Sequence, residues 1–336
     1  MKGFKGVSLR LSSVFFFVVF AALSPWAEAQ SSRRDEMNLA YSAMVPVAAP
    51  FWIAHDQGLF DKEGLSANLI YINSAARTLS AIFAGEVQAT LISPAPIPNA
   101  YAQGADLVII AGAVNKMTVS IMSVPEIRNP PLLRGGKLAI TRFGGLFDFS
   151  ATYALKKWGL QPGKDVVIIQ IGDIPAIMAA LESRSVQAAT LQPPFTFRLR
   201  RLGYHNLMEL AEAGFEYQNT AVVTTRSFIR KEPERIRKFM RAYSRAVAFY
   251  HNDKEATVRV IGKNLRGMDP MLLEESYEYF KQFIPKVPYL NRAGVETAIE
   301  LAGKLTDRKI QFSDIVDEGL VRELDQQGFY KTLYRR

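Results

Sequence analysis

Val87–Ala95 reads VQATLISPA, and 99 residues later Val186–Pro194 reads VQAATLQPP. A chain that repeats itself at a fixed offset builds the same local structure twice, which narrows the folds open to it. The match extends upstream. Leu69-Ile70-Tyr71-Ile72 falls on Ile168-Ile169-Gln170-Ile171, two continuous apolar runs of the buried-strand kind. Leu79, Ala81 and Ile82 fall on Met178, Ala180 and Leu181 at helical spacing, and Pro94 meets Pro193. Gly64-Leu65 corresponds to Gly159-Leu160, the extra residues of the second copy being taken up by the loop Gln161–Lys164. Each copy therefore reads strand, helix, short strand, then a proline opening a further helix, where a missing N–H costs nothing. A strand–helix pair precedes each: Met37–Ala43 into Val47–Gln57, and Lys137–Ile140 into Phe147–Trp158. Units of this kind close by right-handed crossovers into parallel sheets covered by helices. The expectation is an α/β protein of two similar lobes.

Other features bound the function. A basic start (Lys2, Lys5, Arg10), an apolar core at Val14–Leu23 and Ala27-Glu28-Ala29 before Gln30 mark residues 1–29 as a signal peptide cleaved after Ala29. The apolar core is too short for a stable membrane span. The 336 residues contain no cysteine. That excludes disulfides, thiol catalysis, zinc–thiolate and iron–sulfur sites, and a lipid-modified cysteine at the cleavage site. A protein exported without an anchor points to a bacterial periplasm. The formal charge of +9 is spread, densest at Arg198-Leu199-Arg200-Arg201 and along Glu232–Arg245. Acids and bases interleave in that second stretch, so it reads as a solvated face, and no nucleic-acid partner is expected. His55, His205 and His251 lack metal-ligand spacing. No Walker loop, G-x-S-x-G elbow or H-E-x-x-H is present. The reading is no metal, no cofactor and no catalytic residue.

The stretch APFWIAHDQGLFDKEGLSANLIYI (Ala49–Ile72) resembles the opening of the periplasmic solute-binding proteins of the nitrate/taurine/alkanesulfonate and thiamine-precursor ABC importer group. GEVQATLIS (Gly85–Ser93), KKWGLQPGKDVVIIQIG (Lys156–Gly172) and NTAVVTTRSFIRKEPE (Asn219–Glu234) are similar to later phrases of that group. The resemblance covers residues 37–250. It implies a type II periplasmic-binding-protein-like fold, with a ligand cleft between two α/β lobes joined by two crossovers. Lobe one is then 37–124 plus 218–336 and lobe two 135–214. The first crossing is placed near Val124–Arg134, where Pro125, Pro130 and Pro131 break regular structure, and the return near Gly214–Thr220. The last third reads as supporting helices: Pro233 to about Tyr250, one capped by Asp269-Pro270, Gly294–Leu305 and Ser313–Gln326.

Open α/β sheets bind ligands beyond the carboxyl ends of their strands, where helix N-termini favour anions. Four loops meet that description. They supply Ser42 and Met44, with Trp52 farther along the helix, then Ser93, then Arg142, Gly144 and Gly145, and last Gln192 and Phe195. Asn219 near the return crossing joins them. Relatives place glycine and hydroxyl residues in the third loop to hold a sulfonate or similar head group. Leu146 stands where a hydroxyl is expected, a departure from the group's pattern, so carboxylates and heterocycles stand beside sulfonates as candidate ligand classes. A mostly apolar cleft suits a small polar or anionic organic solute better than a bare ion. The resemblance implies a monomer that delivers such a solute to an ABC permease. The alternatives are a ligand-sensing module of a membrane receptor and an exported enzyme on the same fold. A related pyrimidine-synthesising enzyme class is associated with a cysteine-rich iron-binding motif, which this chain lacks.

Overall fold

The computed structural model describes residues 35–214, 216–302 and 308–334; the leader expected at 1–29 lies outside them. The first half runs β1 (Asp35–Tyr41), α1 (Ala49–Asp56), α2 (Leu59–Lys62), β2 (Leu65–Tyr71), α3 (Ala75–Phe83), β3 (Ala89–Ile92), α4 (Ile97–Ala102) and β4 (Leu107–Val114). The second runs β5 (Ser120–Ser123), β6 (Lys137–Ile140), α5 (Leu146–Lys157), β7 (Val167–Gln170), α6 (Ile174–Glu182), β8 (Ala188–Leu191), α7 (Phe195–Arg201) and β9 (His205–Glu209). The chain then returns through β10 (Thr220–Thr225). It ends in α8 (Arg226–Lys231), α9 (Pro233–Asn252), α10 (Lys254–Asn264), α11 (Pro270–Lys281), α12 (Arg292–Ala302), α13 (Phe312–Ile315), α14 (Gly319–Gln326) and α15 (Phe329–Leu333).

The repeat is structural. Shifting α3 by 99 residues gives α6, and β3 gives β8; the last residues of β1 and β2, Tyr41 and Tyr71, give those of β6 and β7, Ile140 and Gln170. Both sheets have five strands in the same relative order, β2-β1-β3-β10-β4 and β7-β6-β8-β5-β9. In each, three neighbouring strands pair in parallel, a fourth runs the same way at the edge, and the strand that has just crossed from the other sheet enters antiparallel between them: β10 beside β3 and β4, β5 beside β8 and β9. Each lobe therefore contains one strand delivered by a crossover. That exchange ties the lobes together more firmly than a single linker would.

β5 pairs in the second sheet, so the chain leaves the first sheet after Val114 and crosses at residues 115–119. This corrects the placement of the crossing at Val124–Arg134 and the end of lobe one at 124. Pro125, Pro130 and Pro131 punctuate a loop wholly within the second lobe. The chain re-enters the first sheet at Thr220, after the segment 216–219.

Helix α9 lays its apolar face on the first lobe. Phe51 of α1 meets Phe239 and Tyr243 edge-on, with ring centroids 5.9 and 6.0 Å apart. Such pairs add about 0.5–1.5 kcal/mol beyond the area they bury. Asp269 caps α11 by accepting from Met271 N–H at 2.8 Å, in keeping with the Asp-Pro signature. The single helix expected over Ser313–Gln326 is instead two, α13 and α14. Between them Val316 bridges to Ile109 of β4, and Asp317 N–H donates to Ile109 O at 2.9 Å, so the sheet edge claims the backbone that a continuous helix would use. The segment 283–294 braces both crossovers. Asn115 N–H donates to Phe283 O at 2.9 Å, and Asn291 N–H donates to Gln218 Oε1 at 2.8 Å. Among the described residues no helix is long and apolar enough to cross a membrane.

Candidate ligand-binding cleft

Because the two parallel triplets share one construction, their carboxyl ends meet across the crossovers. The loops after β1, β2 and β3 face those after β6, β7 and β8, and together they enclose a pocket of ≈ 60 Å³. Seven of the sequence candidates line it: Ser42, Met44, Ser93, Arg142, Gly145, Gln192 and Asn219. Three do not. Trp52 is 2% exposed and packs edge-on against Tyr41 at 5.9 Å, because its position on α1 turns it into the core of lobe one. Gly144, at φ +73°, shapes the loop instead, its N–H donating to Asp148 Oδ2 at 2.9 Å. Phe195 stands at the start of α7, in the wall of an adjoining chamber.

At the floor, the Thr118 hydroxyl of the first crossover accepts from Gln192 Nε2 and from Asn219 Nδ2, both at 2.7 Å. One side chain thus links a strand end of lobe two to the return crossover. All three are essentially buried. The remaining Asn219 oxygen and the Thr220 hydroxyl are buried without a partner among the described residues. Turning the Asn219 amide over would present its NH₂ to the cleft, with Thr118 donating to the oxygen; either arrangement leaves one amide atom over. Buried polar atoms without partners cost about 1–3 kcal/mol each. A ligand group, or water, removes that cost.

The walls favour negative charge. Arg142 lines the pocket with its Nε buried and without a partner. Helices α3 and α5 open onto the cleft at Ser74 and Gly145, neither of which caps its helix with a side chain, so the first N–H groups and the positive dipole end are available. Helix α6 differs: Asp173 Oδ1 accepts from Ala176 N–H at 2.8 Å and closes its own end. Burial holds the Tyr71 hydroxyl above the usual phenol range, with Asp173 and Tyr41 pushing the same way, so it stays a neutral hydrogen-bonding group. Ser93 Oγ accepts from Ala95 N–H at 3.3 Å, and burial suppresses ionisation of the Tyr217 hydroxyl.

Sequence reasoning misses Thr118, Thr220, Tyr71, Asn73 and Asp173. Three of these carry a signal, because the loops after β2 and β7 belong to the same repeat as the four chosen. Asn73 Nδ2 donates to Gly172 O at 2.8 Å, a contact across the cleft between positions 99 residues apart. No residue pattern foreshadows the Thr118 node. No group of three or more His, Asp or Glu residues capable of holding a metal occurs among the described residues.

A family model described as NMT1/THI5 like matches residues 45–257, more than half of the chain. The chain belongs to the NMT1/THI5-like family. Its curated relative "Putative binding protein YtlA" of Bacillus subtilis (strain 168) is 23% identical over 291 residues, covering 83% of this chain and 86% of YtlA. The periplasmic nitrate-binding protein NrtA of Synechocystis PCC 6803 superposes with a TM-score of 0.70 at 16% identity, covering 88% of this chain and 89% of NrtA. The alkanesulfonate-binding protein SsuA of Xanthomonas axonopodis pv. citri, bound to MOPS, gives 0.69 at 15% identity, covering 84% and 98%. At these identities the structures establish the fold. This NMT1/THI5-like chain has the two-lobed periplasmic-binding-protein architecture.

Proposed function

We propose that this protein is the extracytoplasmic substrate-binding component of an ABC importer. It takes a small polar or anionic organic solute between its two lobes and delivers it to a membrane permease, without making or breaking a bond. The observation that carries this reading is the cleft itself: loops from both lobes meet around a pocket holding unpartnered Asn219, Thr220 and Arg142 atoms, with two uncapped helix N-termini beside it. A ligand that touches both lobes favours the closed arrangement, because only differential affinity shifts an open–closed equilibrium. Family membership and the names of NrtA and SsuA as solute-binding proteins support the same reading. The signal-like start of the sequence supports a periplasmic location.

A thermal-shift screen of residues 30–336 tests it, with alkanesulfonates, nitrate, bicarbonate, aromatic carboxylates and nitrogen heterocycles as probes. A ligand at about 100 times its Kd stabilises by roughly 2.7 kcal/mol, a shift of several degrees. Arg142→Ala and Ser93→Ala are expected to weaken any hit at least tenfold while keeping the unliganded Tm within a few degrees. Unaltered affinity in both variants would remove this pocket as the site.

A further inference from the structure

The two copies differ at the end of the sheet that faces away from the cleft. In lobe one the protein covers that end itself. Lys238 Nζ of α9 donates to Asp35 Oδ2 at 2.7 Å, and Arg241 and Arg245 of the same helix donate to Glu63 at 2.6 and 2.8 Å. Asn38 and Asn68, register partners on β1 and β2, bond to each other at 3.1 Å. Shifted by 99 residues these two become Lys137 and Val167, register partners on β6 and β7. The backbone is held alike in both copies: Asn38 N–H donates to Gln88 Oε1 at 2.7 Å, and Lys137 N–H to Gln187 Oε1 at 2.9 Å. At matching positions, then, a bonded polar pair gives way to an exposed cation beside an exposed valine.

Among the described residues no helix covers this end of lobe two. Arg128, Pro131, Leu132, Lys137, Lys164 and Val167 are all exposed, Leu132 at 52% and Val167 at 46%. Backbone bonds gather their segments: Gly135 N–H donates to Asp165 O at 2.6 Å, and Val167 N–H to Gly136 O at 3.0 Å. The acids here are already paired, Asp165 with Arg134 and Glu126 with Arg184. Arg128, Lys137 and Lys164 enter no ion pair among the described residues. In lobe one the covering helix carries charge opposite to the end it covers, so the same rule calls for an anionic cover on lobe two. The three cations come from separate segments around Leu132, which lies on the turn Pro130–Leu133, stiffened by its two prolines. Point charges set around a projecting apolar side chain match a broad anionic plane, whereas a single acidic helix would need them in one row.

We propose that this end of lobe two is a docking face for an anionic lipid surface. Leu132 enters the interfacial layer, and Arg128, Lys137 and Lys164 lie over the head groups. The carboxyl ends of the strands then point away from the bilayer, so the cleft faces solution while the protein is held at the membrane. In the role proposed above, that keeps the binding protein close to its permease.

Flotation of the full mature chain with vesicles of phosphatidylglycerol and phosphatidylethanolamine, against vesicles of phosphatidylcholine alone, tests the assignment. Binding is expected on the anionic vesicles at low ionic strength and is expected to vanish at about 1 M salt, where the Debye length is about 3 Å. Lys137→Gln and Lys164→Gln should each lower the partition coefficient about fivefold, and Leu132→Ser at least about tenfold. Arg230→Gln, which removes an exposed cation of α8 on lobe one, should change nothing. All four variants should keep the wild-type Tm, since exposed substitutions leave packing intact. Equal binding to both kinds of vesicle overturns the anionic surface. Binding that the three lobe-two variants leave intact, or that Arg230→Gln weakens as much, overturns the location. No binding to either vesicle overturns the lipid, and capture by native membrane vesicles that protease treatment abolishes would then assign the face to an acidic protein.

Discussion

At the residue scale the site depends on one hydroxyl. Thr118 is fully buried and holds the amides of Gln192 and Asn219, 74 and 101 residues away, so it fixes the orientation of both cleft groups. Thr118→Val keeps the shape and removes the acceptor, leaving two buried N–H groups to find other partners. The expected result is a loss of about 1–3 kcal/mol in urea unfolding and weaker ligand binding, with Thr118→Ser retaining both. A valine variant matching the wild type in stability and Kd would show that the node is incidental. His251 offers a second test. Burial lowers its pKa below the ordinary value, Lys286 and Lys281 act in the same direction, and its hydrogen bond to Ile284 O at 3.0 Å opposes them. The native state therefore binds the proton less well than the unfolded chain does. The stability from this group is complete above about pH 6.5 and is lost as pH falls through the lowered native pKa. Urea midpoints should drop between about pH 7 and pH 5, and less so in His251→Gln; equal slopes would exclude His251 as the source.

At the scale of elements, the offset of 99 residues decided what could be read in advance. It locates β1 to β3, β6 to β8 and the helices between them, because buried parallel strands write themselves as apolar runs and the second copy confirms the first. It also contains the loops after β2 and β7, but those are not chosen: Ile72 and Ile171 prolong the apolar runs and blur where each strand stops. The first crossover is misplaced for a related reason. Residues 115–119 contain neither glycine nor proline; their turn is held by Asn115 and Thr118 bonds to distant residues, whereas the prolines that draw the eye follow β5. Long-range side-chain pairings of this kind leave no periodicity. Gly294 of α12 is the sharpest case. A Cβ there would stand 2.5 Å from Gln218 N and from Tyr217 C, so the helix start must be bare to lie on the return crossover. Gly294→Ala is expected to cost about 1–3 kcal/mol through overpacking and to raise the ligand Kd by loosening residues 216–219. A variant of wild-type stability and affinity would show that α12 does not brace the hinge.

For the whole molecule, the question is how a chain doubled in this way opens and closes. The crossovers are residues 115–119 and 216–219, and the segment 283–294 grips both, so a hinge placed there by the proposed function is short and braced. Away from the hinge, α11 touches lobe two through Glu275, which meets Arg201 at 3.1 Å, and through Tyr279, whose hydroxyl donates to Glu209 at 2.8 Å. The Arg201–Glu275 pair is over 40% and 40% exposed respectively, and such pairs contribute about 0–1 kcal/mol. It therefore yields cheaply. Inside the cleft, the Asn73–Gly172 hydrogen bond joins the two copies at equivalent positions, and it exists only while the lobes are together. It adds to the closed state whatever the ligand adds. Removing it with Asn73→Ala should cost about 0.5–1.5 kcal/mol of closure, read as a Kd raised about twofold to tenfold, mainly through faster release. Small-angle scattering should show the unliganded variant shifted toward the more open form, with the liganded forms alike. If Kd, release rate and scattering all match the wild type, closure is set by the ligand alone and the contact between the copies follows from it.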